Sequence, residues 1–302
     1  MPNPARRRSI LSVPAHRESM HTKAANAAAD VIMLDLEDSC PPAEKEAARA
    51  IACTSLRNLD WQGKVLTLRV NPVGSPFVLR DLITTVRSAG ELLDTLVIPK
   101  VESAADIHFV DRALTSLEQE AGITRPIGIE AIIESARALR DAEHIAAASP
   151  RMRTLVFGIA DYSASINMPL TSVSGHGEND GVYPGDPLHF VYGRLIMCAK
   201  AADLQVIDAP HGNFRDPDAT RRAAQRARAL GFDGKWAIHP AQIDILNQVF
   251  APGDEEIARA RQVIDAHNAA TADKKGAAAI GGSMIDAASL RMAHDVLARA
   301  GL

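Results

Sequence analysis

The sequence predicts an α/β fold of the (β/α)8 type, a TIM barrel, followed by a C-terminal helical extension, and three observations predict it. Eight short runs rich in apolar and β-branched residues are spaced along the chain, longer segments with apolar residues at helical spacing separate them, and every run has charged or polar residues near its C-terminal end. Runs that are apolar throughout, rather than alternating, suit strands buried on both faces of a parallel sheet. Eight such units in about 240 residues is the size of a complete barrel. The competing architecture is a doubly wound open sheet, which holds its ligand at a glycine-rich turn or switch point. The first run here leads into Pro14-Ala15-His16-Arg17, with no GxGxxG.

In order, the runs are residues 9–14, 31–37, 65–71, 95–101, 126–134, 154–161, 205–210 and 235–240. The intervening segments, such as 104–118 and 218–230, carry apolar residues at the helical period. The second of these has Asp216-Pro217-Asp218 at its start and Gly231 after its end, which is helix punctuation. Two segments stand outside the eight units. Residues 167–188 are rich in Gly, Pro, Asn and Asp and follow the sixth run on the active face of a barrel, so they read as a loop over the substrate. Residues 271–282 read as a flexible linker to 283–302, a turn and a terminal helix. The apolar face of that helix (Leu290, Met292, Val296, Leu297) needs a surface to pack on, and a neighbouring subunit is one candidate. The expected division is a catalytic barrel over 1–270 and a linker with extension over 271–302, which contributes to the adjacent active site.

The chain has 302 residues, 47% hydrophobic and 23% charged, with a net charge of −4, an ordinary globular composition. Interspersed charges of both signs give no footprint for nucleic acid or an anionic membrane, so neither is an expected partner. No apolar run approaches the roughly 20 residues of a membrane span. The N-terminus has basic residues followed by only a few apolar ones, unlike a secretory signal. The cysteines, Cys40, Cys53 and Cys198, are odd in number and match no zinc or CxxC spacing, so a reduced, cytoplasmic protein is expected.

In such a barrel the chemistry sits at the C-terminal ends of the strands. There the runs deliver Arg17; Asp35, Glu37 and Asp38; Arg69 and Asn71; Lys100 and Glu102; Glu130 and Glu134; Asp161; Asp208 and His211; and His239. Charged residues rarely end a buried strand without partners, and a mere binding protein has no need of them on every strand. Glu134 and Asp161, ending adjacent runs, suit a hard cation whose other positions go to water and substrate oxygens. Each could instead cap a helix or pair with an arginine. Arg17 and Arg69 read as anion or oxyanion binders, against a structural salt bridge from Arg69 to Glu37 or Asp38. Glu37 and Asp38 are either general acid/base residues or counter-charges for the arginines. Lys100 could form a Schiff base, but the carboxylates nearby argue for a metal-activated electrophile. His239 is either functional or a core histidine bonded to a backbone carbonyl.

These strings, PAHRESMHTKAANAAADVIMLDLEDS, TLRVN, LVIPKVESAADI, IEAIIES, FGIADYSAS, GKWAIHPAQI and MIDAASL, resemble the malyl-CoA lyase and citrate lyase beta-subunit family, with the greatest likeness to its L-malyl-CoA/β-methylmalyl-CoA lyase branch. The likeness runs from about Ser9 to about Ala300, and its specificity lies in the order and spacing of the strings. It implies that Glu134 of IIES and Asp161 of GIAD are the protein ligands of Mg²⁺, or of Mn²⁺. Arg69 of TLRVN would bind the substrate carbonyl and steady an enolate. Arg17, Thr22, Lys23 and Ala28 would contact CoA, the amides at Ala160 and Asp161 the carboxylate of a 2-oxo acid, and Ile238 and His239 the acyl-CoA. Asp286 of MIDAASL would be the acid/base, delivered from the next subunit of a trimer or dimer of trimers; by position alone it could equally cap a helix.

The activity implied is a Mg²⁺-dependent carbon–carbon lyase that cleaves or forms malyl-CoA-type 3-hydroxyacyl-CoA thioesters from glyoxylate and acetyl-CoA or propionyl-CoA. The alternatives are a citramalyl-CoA lyase, a malyl-CoA thioesterase, and a CoA-independent Mg²⁺-dependent aldolase of free 2-oxo acids, which would not need Arg17 and Lys23. Two departures bear on the substrate. Ala15-His16 stands where relatives usually have two small residues, and residues 167–188 form a shorter loop than in some lyases.

Overall fold

The computed structural model describes residues 5–169, 183, 185–272, 278–280 and 283–302. Strands β1 (Ser9–Pro14), β2 (Val31–Asp35), β3 (Val65–Arg69), β4 (Thr95–Ile98), β5 (Gly128–Ile133), β6 (Met152–Phe157), β7 (Gln205–Asp208) and β8 (Gly234–Ala237) form a closed barrel. Each is parallel to its neighbour, and β8 returns to pair with β1. All eight coincide with the expected runs, but most stop short of the run's polar end, because those last residues leave the ladder to form the mouth.

The connecting helices are α1 (Glu18–Ala25), α2 (Lys45–Asn58), α3 (Val78–Ala89), α4 (Ala104–Ala121), α5 (Ala136–Arg140), α6 (Ala142–Ala146), α7 (Ile159–Ser165), α8 (His189–Ala201), α9 (Pro217–Leu230) and α10 (Ile243–Phe250). The punctuation of α9 acts as its residues dictate. The Asp216 side chain accepts from the Ala219 amide at 2.9 Å, Pro217 fills the first turn, and Gly231 ends the helix at φ +111°.

Alternate residues of each strand face the barrel interior. Ile10, Val31, Met33, Val97, Ile132, Val156, Ile207 and Trp236 form one buried cluster there. In register with this face, Asp35 of β2 lies beside Arg69 of β3, which places both at the mouth.

The same register moves two expected strand-end residues elsewhere. Glu130 pairs across to Val97 and Thr154, a full layer below Glu134, so it belongs to the lower interior and not the mouth. Its carboxylate accepts from Arg7 Nη1 at 2.5 Å, from Thr154 Oγ1 at 2.8 Å and from Thr95 Oγ1. Asp208 follows Ile207 and therefore points to the opposite face, away from the interior, where it pairs with the fully buried Lys235 of β8. Gly234 is required where β8 closes on the strand-one side, since a Cβ there would run into the Arg7 carbonyl.

The chain divides into two compact units, Arg7–Asn247 and Met1–Arg6 with Gln248–Leu302. In the second unit, α11 (Asp254–Ala272) packs on α12 (Ala287–Ala300) beside an antiparallel pair, β9 (Ala278–Ile280) and β10 (Ser283–Ile285). Part of the expected linker, residues 278–280, is thus a strand, paired with β10. Helix α11, counted above with the barrel, is in one unit with the extension. Ala260, Val263, Ile285 and Ala293 form the core of this unit, with Ile264, Val296 and Leu297 against it. The α12 face expected to seek a neighbour is therefore partly covered by α11 of its own chain, whereas Met292 stays 63% exposed.

Most of the expected substrate-covering loop, residues 170–182 and 184, lies outside the described residues, as do 273–277 and 281–282 of the linker. Among the described residues no helix is long and apolar enough to cross a membrane. All three cysteines are free and buried.

The Arg7–Glu130 pair gives a stability prediction. Arg7→Met leaves a buried carboxylate without its counter-charge and should cost about 3–5 kcal/mol, whereas Arg7→Met with Glu130→Leu should recover only part of that loss, because Thr95 and Thr154 then lose their acceptor. Chemical denaturation midpoints measure both. A single variant as stable as the wild type would contradict the assignment.

Candidate active site

Asp35 and Arg69 end neighbouring strands in register, so their side chains meet at the mouth. Arg69 Nε and Nη2 donate to the two Asp35 oxygens at 2.6 and 2.7 Å, a bidentate fork. Arg69 Nη1 lies 3.1 Å from Glu37 Oε2, and the guanidinium carbon sits 5.6 Å from the Trp236 ring centroid. Asp35 also accepts from the amides of Glu37 (2.8 Å) and Ser39 (3.1 Å). Burial alone would raise the Asp35 carboxyl, but Arg69 and these hydrogen bonds outweigh it and hold it below its ordinary value. Burial likewise opposes the Arg69 charge, yet Asp35 and then Glu37 keep it firmly protonated. The expected salt bridge from Arg69 to Glu37 is present, no bond joins it to Asp38, and the main partner is Asp35. Asp35 lacked a role in the sequence analysis; the parity of the β2–β3 register is the signal that finds it.

Glu37 is a wedge between two cations. Its other oxygen, Oε1, accepts from Lys100 Nζ at 2.6 Å, and Lys100 also reaches Asp38 Oδ1 at 3.3 Å. Burial nonetheless holds the Glu37 carboxyl above its usual value, against Arg69 and Lys100. Behind this loop the buried Lys45, which the sequence analysis did not single out, donates to the carbonyls of Leu36 (2.8 Å) and Glu37 (3.0 Å) and to Asn71 Oδ1 (2.6 Å). Asn71 in turn donates to Asp81 at 2.7 Å, so it supports the mouth from behind and does not line it.

Glu134 immediately follows β5 and is only 7% exposed. Its Oε1 accepts from the Lys100 amide at 2.6 Å. Gly158, the residue before α7, lies against it, and a Cβ there would collide with both Glu134 Cβ and Oε2 at 2.5 Å. Burial, followed by the charges of Asp161 and Glu37, pushes the Glu134 carboxyl up to about 8, against the Lys100 hydrogen bond and Arg69. Asp161 does not end β6 itself; it is half-buried in the first turn of α7. The first amide of α7 with an intrahelical acceptor is that of Tyr162, to Gly158 O at 3.0 Å, so the amides of Ala160 and Asp161 have none within the helix.

This donor set fits a hard cation. A buried carboxyl with one neutral donor and acidic neighbours lacks a counter-charge. Among the described residues no group of three or more His, Cys, Asp or Glu could enclose a metal ion. A cation held by Glu134 and Asp161 would therefore complete its shell with water and substrate oxygens, as Mg²⁺ does.

The remaining expected residues are spread more widely. Arg17, which opens α1, and Thr22 and Lys23 within it, are exposed. Ala28 lies in the connection entering β2, at the opposite end of the barrel from the mouth, where its carbonyl accepts from Asn247 at 2.7 Å. That position separates it from Arg17, which follows the C-terminal end of β1. Ile238 is exposed just past β8. His239 is no core histidine: it stacks on Phe214 at 4.4 Å, and its Nδ1 accepts from the Ala241 amide at 3.1 Å. Asp286 belongs to the second unit and is the N-cap of α12, its Oδ1 accepting from the Ser289 amide at 2.9 Å. That bond holds the exposed Asp286 carboxyl below its ordinary value.

The raised Glu134 carboxyl sets a pH dependence. It is protonated in the metal-free fold up to a pH near 8, but in the unfolded chain only to about 4.5. The folded state thus binds more protons between these values, and metal-free stability should fall as pH rises through that window. A cation must displace the proton, so Mg²⁺ affinity should rise with pH toward 8 and binding at pH 7 should release about one proton. Calorimetry in buffers of different ionisation enthalpy measures this. No proton release, or unchanged release in Glu134→Gln, would contradict it.

Residues 8–240 match the HpcH/HpaI aldolase/citrate lyase family model. An L-malyl-CoA/β-methylmalyl-CoA lyase of Cereibacter sphaeroides is 39% identical over 306 residues, covering 99% of this chain and 96% of that protein. A malyl-CoA/β-methylmalyl-CoA/citramalyl-CoA lyase of Chloroflexus aurantiacus is 34% identical, covering 96% of this chain and 86% of that protein. Among solved structures, CitE of Mycobacterium tuberculosis in complex with magnesium, acetoacetate and coenzyme A superposes with a TM-score of 0.77 at 31% identity, covering 97% of this chain and 98% of that one. With a barrel of this topology and similarity over nearly its whole length, the chain belongs to the HpcH/HpaI aldolase/citrate lyase family.

Proposed function

We propose that the chain is a Mg²⁺-dependent carbon–carbon lyase that cleaves, or in reverse forms, malyl-CoA-type 3-hydroxyacyl-CoA thioesters, with glyoxylate and acetyl-CoA or propionyl-CoA as the other side of the reaction. The observation that carries this reading is an orientation-locked arginine and a buried carboxyl that no side-chain cation pairs, both at one barrel mouth. The names of the two lyases above support the substrate class. The magnesium in the CitE complex supports the cofactor, with Mn²⁺ as a substitute of the same oxygen preference. Citramalyl-CoA, which would release pyruvate, is a second substrate, favoured by the Chloroflexus relative's name. The buried free thiols support a reduced, cytoplasmic setting.

In cleavage the 2-hydroxyl gives its proton to solvent, its carbon becomes the carbonyl of glyoxylate as the bond to the thioester α-carbon breaks, and that bond's electron pair becomes the enolate, which takes one proton to give the acyl-CoA. Glu134 and Asp161 would hold Mg²⁺, which would supply Lewis acidity to the oxygens of the malyl part. Arg69 gives two of its five N–H groups to Asp35 and directs Nη1 toward Glu37, leaving outer N–H groups for the thioester oxygen. A preorganised cation at a developing enolate is worth on the order of 3 kcal/mol in a site that excludes water. The amides of Ala160 and Asp161 are donors for the 2-oxo acid carboxylate. Arg17, Thr22 and Lys23 take the CoA nucleotide, and Ile238 and His239 lie against the acyl-CoA. Glu37 and Asp38 serve mainly as counter-charges to Arg69 and Lys100. Asp286 exchanges the proton of the α-carbon and is supplied by a neighbouring subunit of a trimer or dimer of trimers. Its cap bonds keep it ionised, as a base in the condensing direction requires.

Two experiments test this reading. Arg69→Lys should lower kcat by about 10²-fold or more with a small effect on KM, because an ammonium cannot hold Asp35 and an oxyanion in one plane. A near-normal kcat would return Arg69 to a purely structural role. Asp286→Asn and Glu134→Gln should each be inactive, and mixing them after subunit exchange should restore part of the activity. With exchange verified by mass spectrometry, no recovery would remove Asp286 from the neighbouring site.

A further inference from the structure

Lys100 touches both halves of the mouth, and none of the steps above uses it. Its amide donates to Glu134 Oε1 at 2.6 Å, and its ammonium donates to Glu37 Oε1 at 2.6 Å and Asp38 Oδ1 at 3.3 Å. The strand leading to it ends at Ile98, and Pro99 has no N–H with which to extend the ladder. Lys100 then takes φ +51°, a left-handed conformation that glycine adopts freely and that a residue with a Cβ adopts at a cost. Strained backbone of this kind persists where the surroundings over-determine it, and it collects at functional sites. Here both arms of the residue are engaged. A bland alternative is a half-exposed lysine neutralising two acids, with its backbone conformation incidental to the loop. That alternative does not explain why the amide serves the buried carboxyl on the next strand.

We propose that Lys100 is a positioning residue that sets the cation site and the Arg69–Glu37 pair relative to each other, its left-handed backbone aiming the amide at Glu134 and the ammonium at Glu37. The inference rests on the metal-ligating role of Glu134 proposed above. Before any cation arrives, the Lys100 amide holds Glu134 in the space that the absence of a side chain at Gly158 leaves for it. Preorganisation of this kind lowers the cost of assembling a metal site.

Two substitutions in the full chain separate the arms. Lys100→Gly removes the ammonium but keeps the amide and favours the left-handed backbone. Lys100→Val removes the ammonium and, being β-branched, resists that backbone. Mn²⁺ binding followed by electron paramagnetic resonance needs no substrate. The Gly variant should bind Mn²⁺ within about threefold of wild type and the Val variant about tenfold or more weakly. Both should lose kcat by about 10²-fold, since Glu37 no longer holds its place beside Arg69. Equal Mn²⁺ affinity in all three proteins, or equal weakening in both variants, overturns the backbone arm. Wild-type kcat in Lys100→Gly overturns the ammonium arm. Should Lys100→Val fail to fold by circular dichroism, Lys100→Ala replaces it, with weakening relative to Lys100→Gly as the supporting result and equality as the overturning one. If the wild type cleaves no malyl-CoA-type thioester, the proposed activity fails, while the Mn²⁺ titration still decides whether Lys100 sets Glu134.

Discussion

The two hydrogen bonds between Arg69 and Asp35 are the constraint on which the mouth of this barrel depends. A guanidinium taken out of water needs a partner that is ionised and fixed, and a carboxylate accepting two parallel N–H bonds is the strongest one a protein can offer. The strand register supplies it by placing Asp35 beside Arg69. Once the plane of Arg69 is set, Nη1 faces Glu37, Glu37 draws in Lys100, and the Lys100 amide meets Glu134. The arginine proposed to bind the oxyanion and the carboxyl proposed to hold the metal thus come from one connected chain of polar contacts on four consecutive strands.

The barrel contains other buried ion pairs, and their positions give them other work. Arg7 and Glu130 fill the lower interior, where apolar side chains would leave Thr95 and Thr154 without partners. Asp208 and Lys235 lie on the outer face of β7 and β8. Neither pair is at the mouth. Each is closed on itself, whereas Glu134 has only a neutral amide for a charge that burial makes costly. That difference in compensation separates scaffold from site more sharply than burial does, since all these groups are buried.

Much of the fold was legible in the sequence, because an all-parallel barrel buries both faces of its strands and writes them as apolar runs. Helix α9 was legible through Asp216, Pro217 and Gly231, each acting locally. Depth and side were not. Glu130 and Glu134 both face inward from β5, four residues apart, and only the register with β4 and β6 shows that one is packing and the other site. Asp208 ends its strand as convincingly as Arg69 does, but with the opposite parity. Ala28 sits close to Arg17 in sequence while α1 carries the chain to the other end of the barrel. The support given by Lys45 was invisible for a related reason: nothing local shows that a helix lysine turns inward onto the carbonyls of Leu36 and Glu37.

The chemistry argued from this mouth breaks a carbon–carbon bond and leaves the thioester intact, and product analysis decides that most directly. Wild-type protein incubated with Mg²⁺ and L-malyl-CoA should release glyoxylate and acetyl-CoA in equal amounts, with no free CoA thiol, and EDTA should stop both. Malate and free thiol in equal amounts, without glyoxylate, would contradict the assignment, because Arg69 and Glu134 would then serve a hydrolase.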